Sequence, residues 1–158
     1  MIAYNTGMRS GEVCALTWDR VDLEKGYITV DRNLIYKNKR WALTTPKTKS
    51  SIRKIKIGNT LINILKKQKK RQNKNKEIGG KYYIQYKNVD GYIFEEPGNL
   101  EFVSTKPDGT IVSINTLKYL SKVVNHELNI NFNFHALRHT HATKLIENGA
   151  NVKAVQKR

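Results

Sequence analysis

The chain has 158 residues, of which 39% are hydrophobic and 27% are charged, which suits one globular domain with its own core. Its 29 Lys and Arg outnumber its 13 Asp and Glu, so the formal net charge is +16. An excess of this size attracts polyanions, with DNA or RNA as the first candidate. No apolar run approaches the roughly 20 residues that cross a bilayer, and the single cysteine, Cys14, excludes an intrachain disulfide or a zinc site built from several cysteines. These features predict a cytoplasmic protein that binds nucleic acid and no membrane.

The first half of the chain is predicted to hold the end of a helix at residues 1–4, a second short helix and a sheet. Ser10 is a suitable N-cap, and Glu12 falls in the first helical turn, where the helix dipole favours an acid. The stretch 27–30 is rich in residues that favour strands, and a turn at 37–39 separates two further candidate strands. Together these signals predict a small antiparallel sheet over about residues 26–57.

Helices dominate the second half. One is predicted to start at residues 59–60 and to give way to a strongly cationic helix end and loop over residues 66–76. Another starts within 113–115 and carries apolar residues three and four positions apart. A third runs over about 135–148 and is ended by Gly149. The chain is therefore predicted to be an α+β protein, mainly α, with a single domain.

Two short motifs, far apart in the sequence, carry residues that suit a phosphate. His135 and Arg138 are three residues apart and so share one face of a helix. A guanidinium offers a planar pair of donors to phosphate oxygens, and an imidazole exchanges a proton near neutral pH. Arg9 would add a second guanidinium, although Glu12 is also an obvious salt-bridge partner for it. Cations that converge on one phosphate stabilise the charge that develops during its transfer.

In this order the motifs resemble those of the catalytic domain of the tyrosine recombinase (phage integrase) family. The matching segments are Thr6–Glu12 for the first conserved box, Pro46–Ser51 with Arg53 for the hairpin that carries the catalytic lysine, and His135–Thr140 for the second box. The resemblance covers nearly the whole chain. It implies an integrase-like catalytic domain of helices and a small antiparallel sheet.

The resemblance also implies a role for each matching residue. Arg9, His135 and Arg138 would activate the phosphate that is attacked. Lys47 would be the general acid that protonates the departing 5′ oxygen, with Lys49 as its rival in the same hairpin. The supporting residues would be Glu12, Lys49 and His139, and the DNA contacts would include Arg53, Lys54 and Lys56.

The implied reaction breaks and rejoins double-stranded DNA through a 3′-phosphotyrosine link, without a metal or another cofactor, because the covalent link conserves the phosphodiester energy. In the family the nucleophilic tyrosine follows the second box, whereas all eight tyrosines of this chain precede His135. We therefore expect residues 1–158 to be part of a longer recombinase, without its N-terminal DNA-binding domain and its tyrosine segment. The parent protein would be a tetramer on DNA, and this part alone would be monomeric and inactive.

Two alternatives remain at this point. A basic DNA-binding module without chemistry would account for the charge, and it would bind any sequence in a salt-sensitive way. A metal-dependent hydrolase is less favoured. His135 and His139 are four residues apart and could bind zinc on one helix face, with His141 nearby, but the zinc-protease pattern requires Glu at the position of Ala136.

Overall fold

Residues 1–45 and 52–156 are described by a computed structural model, in which two short helices precede most of the strands and longer helices follow. The helices are α1 Ile2–Thr6, α2 Ser10–Cys14, α3 Asn59–Gly79, α4 Ile114–Leu128, α5 Ala136–Glu147 and α6 Val152–Gln156. The strands are β1 Val21–Asp22, β2 Tyr27–Val30, β3 Asn33–Lys37, β4 Arg40–Thr44, β5 Arg53–Lys56, β6 Lys87–Val89 and β7 Tyr92–Phe94. Among the described helices, none combines the length and apolar character that crossing a membrane requires.

The strands form two antiparallel sheets, whereas the sequence predicts one sheet over residues 26–57. The first sheet has the order β1-β2-β5 and the second the order β3-β4-β7-β6. The chain leaves the first sheet after β2, makes the β3–β4 hairpin, and returns at β5, where Ile55 pairs with Ile28. Alternation of apolar and polar residues indicates where strands lie but not which strands pair. The predicted sheet range of 26–57 does not include β1, β6 and β7, although residues 91–103, which contain β7, are predicted to be extended.

The turn between β3 and β4 lies where the sequence predicts it. Asn38 and Lys39 both have positive φ, 52° and 60°, as in the two-residue turns whose twist matches that of the flanking strands. Across the hairpin, the rings of Tyr36 and Trp41 pack edge to face with 5.0 Å between their centroids.

The ends of the longer helices agree only in part with the sequence prediction. α3 has Gly58 as its N-cap and continues through the cationic stretch to Gly79, because Lys, Arg, Gln and Glu are all good helix formers. α4 has the predicted cap, since the Ser113 side chain accepts a hydrogen bond from the Thr116 N–H. After α5, Gly149 has the expected left-handed φ of 81°.

Two clusters of buried apolar side chains hold these elements together. In the first cluster Leu61 and Leu65 of α3 pack with residues of β2 and β5, among which Ile28 is fully buried. The second cluster joins α2, β3 and α4. Phe134 contacts both clusters just before α5 begins, and it therefore fixes the start of that helix relative to the rest of the fold.

A buried glutamine attaches the far end of α3 to the rest of the chain. Gln72 Oε1 accepts a hydrogen bond of 2.8 Å from the indole N–H of Trp18. Gln72 Nε2 donates to the Phe102 carbonyl oxygen at 3.0 Å and to Thr105 Oγ1 at 2.7 Å. Because its polar atoms have partners, the amide is accommodated inside the protein.

Candidate active site

The two predicted arginine motifs meet where α1 packs against α5. Arg138 Nη1 donates a hydrogen bond to the carbonyl oxygen of Gly7, although the two residues are 131 positions apart. One turn further along α5, His141 Nδ1 lies 2.9 Å from the carbonyl oxygen of Tyr4. The end of α1 and the start of α5 are thus joined by polar contacts from side chains of α5 to the backbone of α1.

Gly7 is required at this junction for two reasons. It ends α1 with a φ of 68°, a conformation that residues with a Cβ adopt at a cost. A Cβ at this position would also lie 2.7 Å from Cδ2 of His141. The glycine of the first motif therefore allows α5 to approach the backbone next to Arg9.

Arg9 is held at the entrance to α2 by the carboxylate of Glu12. The Arg9 backbone N–H donates to Glu12 Oε2 at 2.8 Å, and Arg9 Nη1 donates to Oε1 at 3.1 Å. Since Glu12 reaches back in this way, Arg9 rather than the predicted Ser10 is the N-cap of α2. The side chain of Arg9 is 57% exposed, so it can be reached by an incoming anion.

The same carboxylate also binds Arg53 at the start of β5. Arg53 Nη1 donates to Glu12 Oε1 at 3.0 Å and Nη2 donates to Oε2 at 2.8 Å, and the side chains of Glu12 and Arg53 are only 5% and 10% exposed. Burial acts to raise the pKa of Glu12. The hydrogen bonds from Arg53 and from the Arg9 N–H, with the charges of both arginines, outweigh burial and lower that pKa below its ordinary value of 4.5.

The sequence analysis makes Arg53 a DNA contact, and that role stays a prediction. In the structure its guanidinium turns inward to Glu12, while Lys54 and Lys56 are exposed on the same strand. Arg53 has the same parity along the strand as the buried Ile55 and Ile57. Because successive side chains of a strand point to opposite faces, the sequence itself indicates that Arg53 faces inward.

Arg138 lies in the electric field of the other two arginines. Its pKa is lowered, first by its partial burial and then by the positive charges of Arg9 and Arg53, against the opposing effect of Glu12. Three guanidinium groups therefore share one region with one carboxylate. The net positive charge that remains favours binding of an anion at this place.

His135 is exposed at the residue that precedes α5, three positions before Arg138. Its ring stacks edge to face on that of His139, with 4.7 Å between the centroids. Both histidines lie along an open groove of about 450 Å³, whose other lining residues include Asn133, Thr143, Lys144 and Glu147. The structure thus brings Arg9 and Arg138 together through Gly7, and it places His135 at the adjoining end of α5. Lys47 and Lys49 lie outside the described residues.

The sequence profile of the phage integrase family matches residues 1–158. The chain is 36% identical to a XerC-like tyrosine recombinase of Caldanaerobacter subterraneus subsp. tengcongensis, in an alignment that covers 98% of this chain and 39% of the relative. It is 29% identical to the ICEBs1 integrase of Bacillus subtilis, with 99% and 39% covered. The chain therefore spans about two fifths of the length of these curated relatives.

Solved structures show the same fold. The integrase of transposon Tn1549, in complex with circular intermediate DNA, superimposes with a TM-score of 0.76 at 24% identity, over 99% of this chain and 48% of that protein. The XerA recombinase superimposes with a TM-score of 0.62 at 16% identity, over 98% of this chain and 45% of that protein. The predicted α+β fold of an integrase catalytic domain is thereby confirmed.

Proposed function

Since this chain belongs to the phage integrase family of tyrosine recombinases, we propose that it carries the phosphate-activating residues of a site-specific DNA recombinase. The observation that supports this most strongly is the junction of α1 and α5. There Arg138 contacts the backbone of the motif that contains Arg9, and its partial burial, together with the charge of Arg9, lowers the pKa of Arg138. Two neighbouring guanidinium groups can both donate hydrogen bonds to the oxygens of a single phosphate diester.

The proposed reaction is an exchange of phosphodiester bonds. A tyrosine oxygen attacks the phosphorus and the bond from phosphorus to the 5′ oxygen breaks, which leaves a 3′-phosphotyrosine and a free 5′ hydroxyl. Arg9 and Arg138 stabilise the negative charge that develops on the phosphate oxygens. His135, at the start of α5, exchanges a proton near that phosphate. Attack of a 5′ hydroxyl on the phosphotyrosine then reverses these steps and restores a DNA strand.

In this proposal the nucleophilic tyrosine follows the second motif, and all eight tyrosines in the sequence precede His135. We therefore expect residues 1–158 by themselves to bind DNA without forming the covalent link. The test is a nicked suicide substrate, followed by a denaturing gel that retains covalent protein–DNA adducts. An adduct formed by these 158 residues would contradict the assignment, because an upstream residue would then be the nucleophile.

The role of Arg138 is tested in the full-length recombinase. Arg138→Ala removes a donor that acts on the charge of the transition state, so adduct formation should slow by at least ~100-fold. Lys118→Ala, which removes an exposed cation on α4, is the matched control and should retain most of the rate. Equal rates for the two variants would remove Arg138 from the reaction.

Lys47 is proposed as the general acid for the 5′ oxygen, with Lys49 as the alternative. A substrate whose 5′ oxygen is replaced by sulfur distinguishes them, because a thiolate departs without a proton. Lys47→Ala should slow cleavage of the ordinary substrate much more than cleavage of the sulfur substrate. If Lys47→Ala slows both substrates equally and Lys49→Ala shows the selective loss, then Lys49 is the acid.

A DNA-binding module without chemistry is the second candidate, and the net charge of +16 favours it. Both candidates predict duplex binding that weakens steeply with salt, because released counterions drive the association. They differ in the full-length protein, where only the recombinase forms an adduct.

We further propose that the whole protein acts in the cytoplasm as a tetramer on DNA and that residues 1–158 alone are monomeric. Sedimentation with and without DNA would test the assembly state.

A further inference from the structure

The outward side of α3 carries positive charges that the proposed active site does not use. At 3.6 residues per turn, these charges lie opposite the buried Leu61, Leu65 and Gln72. We call this exposed surface the α3 face; its cations are Lys66, Lys67, Lys70, Arg71 and Lys74. The helix contains one acidic residue, Glu77, near its C-terminal end. The face is therefore strongly cationic over most of its length.

The charges of the α3 face are not neutralised within the described part of the chain. There, the nearby cations that have partners lie on the flanks of the helix: Lys76 pairs with Glu101 at 3.7 Å, and Lys69 Nζ lies 5.2 Å from the ring centroid of Trp18. On the face itself, Arg71 Nη2 donates to the neutral amide oxygen of Gln68. The cations of the α3 face therefore remain available to an external anion.

The spacing of the lysines matches a polyanion with regular charges. Lys66, Lys70 and Lys74 are four residues apart, so successive lysines are about 6 Å apart along the helix axis. Duplex DNA presents one negative charge per about 1.7 Å of its axis, so this row can meet several phosphates at once. In the unbound protein, like charges four residues apart destabilise the helix, and an opposing row of phosphates would relieve that repulsion.

The composition of α3 indicates which kind of polyanion its cations would bind. Residues 59–79 contain no aromatic side chain, and proteins that grip single strands rely on aromatic side chains that stack on the bases. Contacts made by lysine to phosphate carry no sequence information by themselves. The chemistry of this face therefore fits the backbone of duplex DNA, read without sequence preference.

The α3 face is distinct from the arginine site. Leu61 and Leu65 pack on the first apolar cluster, and Leu137 of α5 packs against the same cluster. The cations of α3 point away from that cluster, while Arg138 of α5 contacts Gly7. The two charged surfaces thus belong to different elements that pack on one apolar cluster.

We propose that the α3 face is a second, sequence-independent binding surface for duplex DNA, which acts separately from Arg9 and Arg138. This adds to the proposed function a contact that does not depend on the chemistry of the active site.

The test compares two triple variants that remove the same charge. Lys66→Gln, Lys70→Gln and Lys74→Gln together alter the α3 face, and Lys106→Gln, Lys118→Gln and Lys122→Gln alter exposed lysines elsewhere. Affinity for a labelled duplex of arbitrary sequence is measured by fluorescence anisotropy over a range of salt concentrations. With a slope of about 0.9 per phosphate contact, the α3 variant should reduce the slope of log affinity against log salt by about 2–3, and the control variant by clearly less.

A second arm separates this proposal from the proposed function. Arg9→Ala with Arg138→Ala should leave salt-dependent duplex binding in place, and adding the three α3 substitutions should weaken that binding and reduce its salt slope by about 2–3. Thermal melting is followed for every variant, and the α3 variant should be at least as stable as the wild type because lysine repulsion is reduced. Equal slopes for the two triple variants, or residual binding unaffected by the α3 substitutions, would overturn the proposal.

Discussion

Glu12 and Arg53 form a two-pronged ion pair that links the first turn of α2 to the first residue of β5, 41 positions later. The carboxylate also accepts a hydrogen bond from the backbone N–H of Arg9. One buried acid therefore sets the position of Arg9 relative to β5. That strand directly follows the segment that contains Lys47 and Lys49, so Glu12 connects two parts of the proposed site.

Glu12→Gln should strongly destabilise the fold. It removes the carboxylate that pairs with the nearly buried Arg53, and breaking such a pair typically costs about 3–5 kcal/mol. Urea unfolding measures the change in the free energy of unfolding. Glu101→Gln is the control: the side chains of Glu101 and Lys76 are 59% and 47% exposed, and loss of an exposed pair costs about 0–1 kcal/mol. Similar costs for the two variants would show that the Glu12 pair does not stabilise the protein.

The contribution of Glu12 should depend on pH in one direction. Burial acts to raise its pKa, but hydrogen bonds from Arg53 and from the Arg9 N–H lower it below 4.5. A carboxylate with a lowered folded-state pKa stabilises the protein fully above its unfolded pKa, and this stabilisation disappears as pH falls through the folded value. The difference in unfolding free energy between wild type and Glu12→Gln should thus be constant down to about pH 5 and then shrink. A difference that grows on acidification would reverse the assignment.

Gly7→Ala should cost more than the same change at Gly149. Both glycines have positive φ, 68° and 81°, but a Cβ at Gly149 meets no atom within 4 Å, while one at Gly7 meets the ring of His141. The left-handed conformation alone costs about 1–2 kcal/mol, which Gly149→Ala should show. Gly7→Ala should exceed that value and also weaken DNA binding, since the ring of His141 on α5 must shift. Thermal unfolding and duplex titration of the two variants provide the comparison.

Cys14 should be inert in the folded protein. Its side chain is 1% exposed, and burial raises the pKa of its thiol to about 12. The thiolate is the reactive form, so an alkylating reagent at about pH 8 should label Cys14 only when the protein unfolds. Mass spectrometry over a denaturant series should give labelling that follows the unfolding transition. Rapid labelling without denaturant would show that α2 opens locally.

The parts of the fold that the sequence predicts well are those set by local chemistry. Tyr27–Val30 forms a strand with the predicted bounds because all four of its residue types favour strands. Gly149 follows α5 because a left-handed residue after a helix favours glycine. The side chain of Ser113 caps α4 for an equally local reason.

Features that depend on distant partners are predicted less well. The split into two sheets follows from the pairing of β4 with β7, which lies about fifty residues further along the chain. The inward turn of Arg53 depends on a buried acid in α2, although the parity of Ile55 already indicates the face. The length of α3 is underestimated because a cationic run is interpreted as a loop, while lysine itself favours helix.

The hydrogen bond from Arg138 to Gly7 joins residues that are 131 positions apart. It can therefore form only late in the synthesis of the chain. Contacts between distant segments form only after the entropy of closing a long loop has been overcome. A chain emerging from the ribosome presents Arg9 early, but it cannot set that arginine beside Arg138 until α5 has been synthesised and has docked on α1. During synthesis the cations are thus present before the arginine pair is assembled, and docking of α5 is the step that completes it.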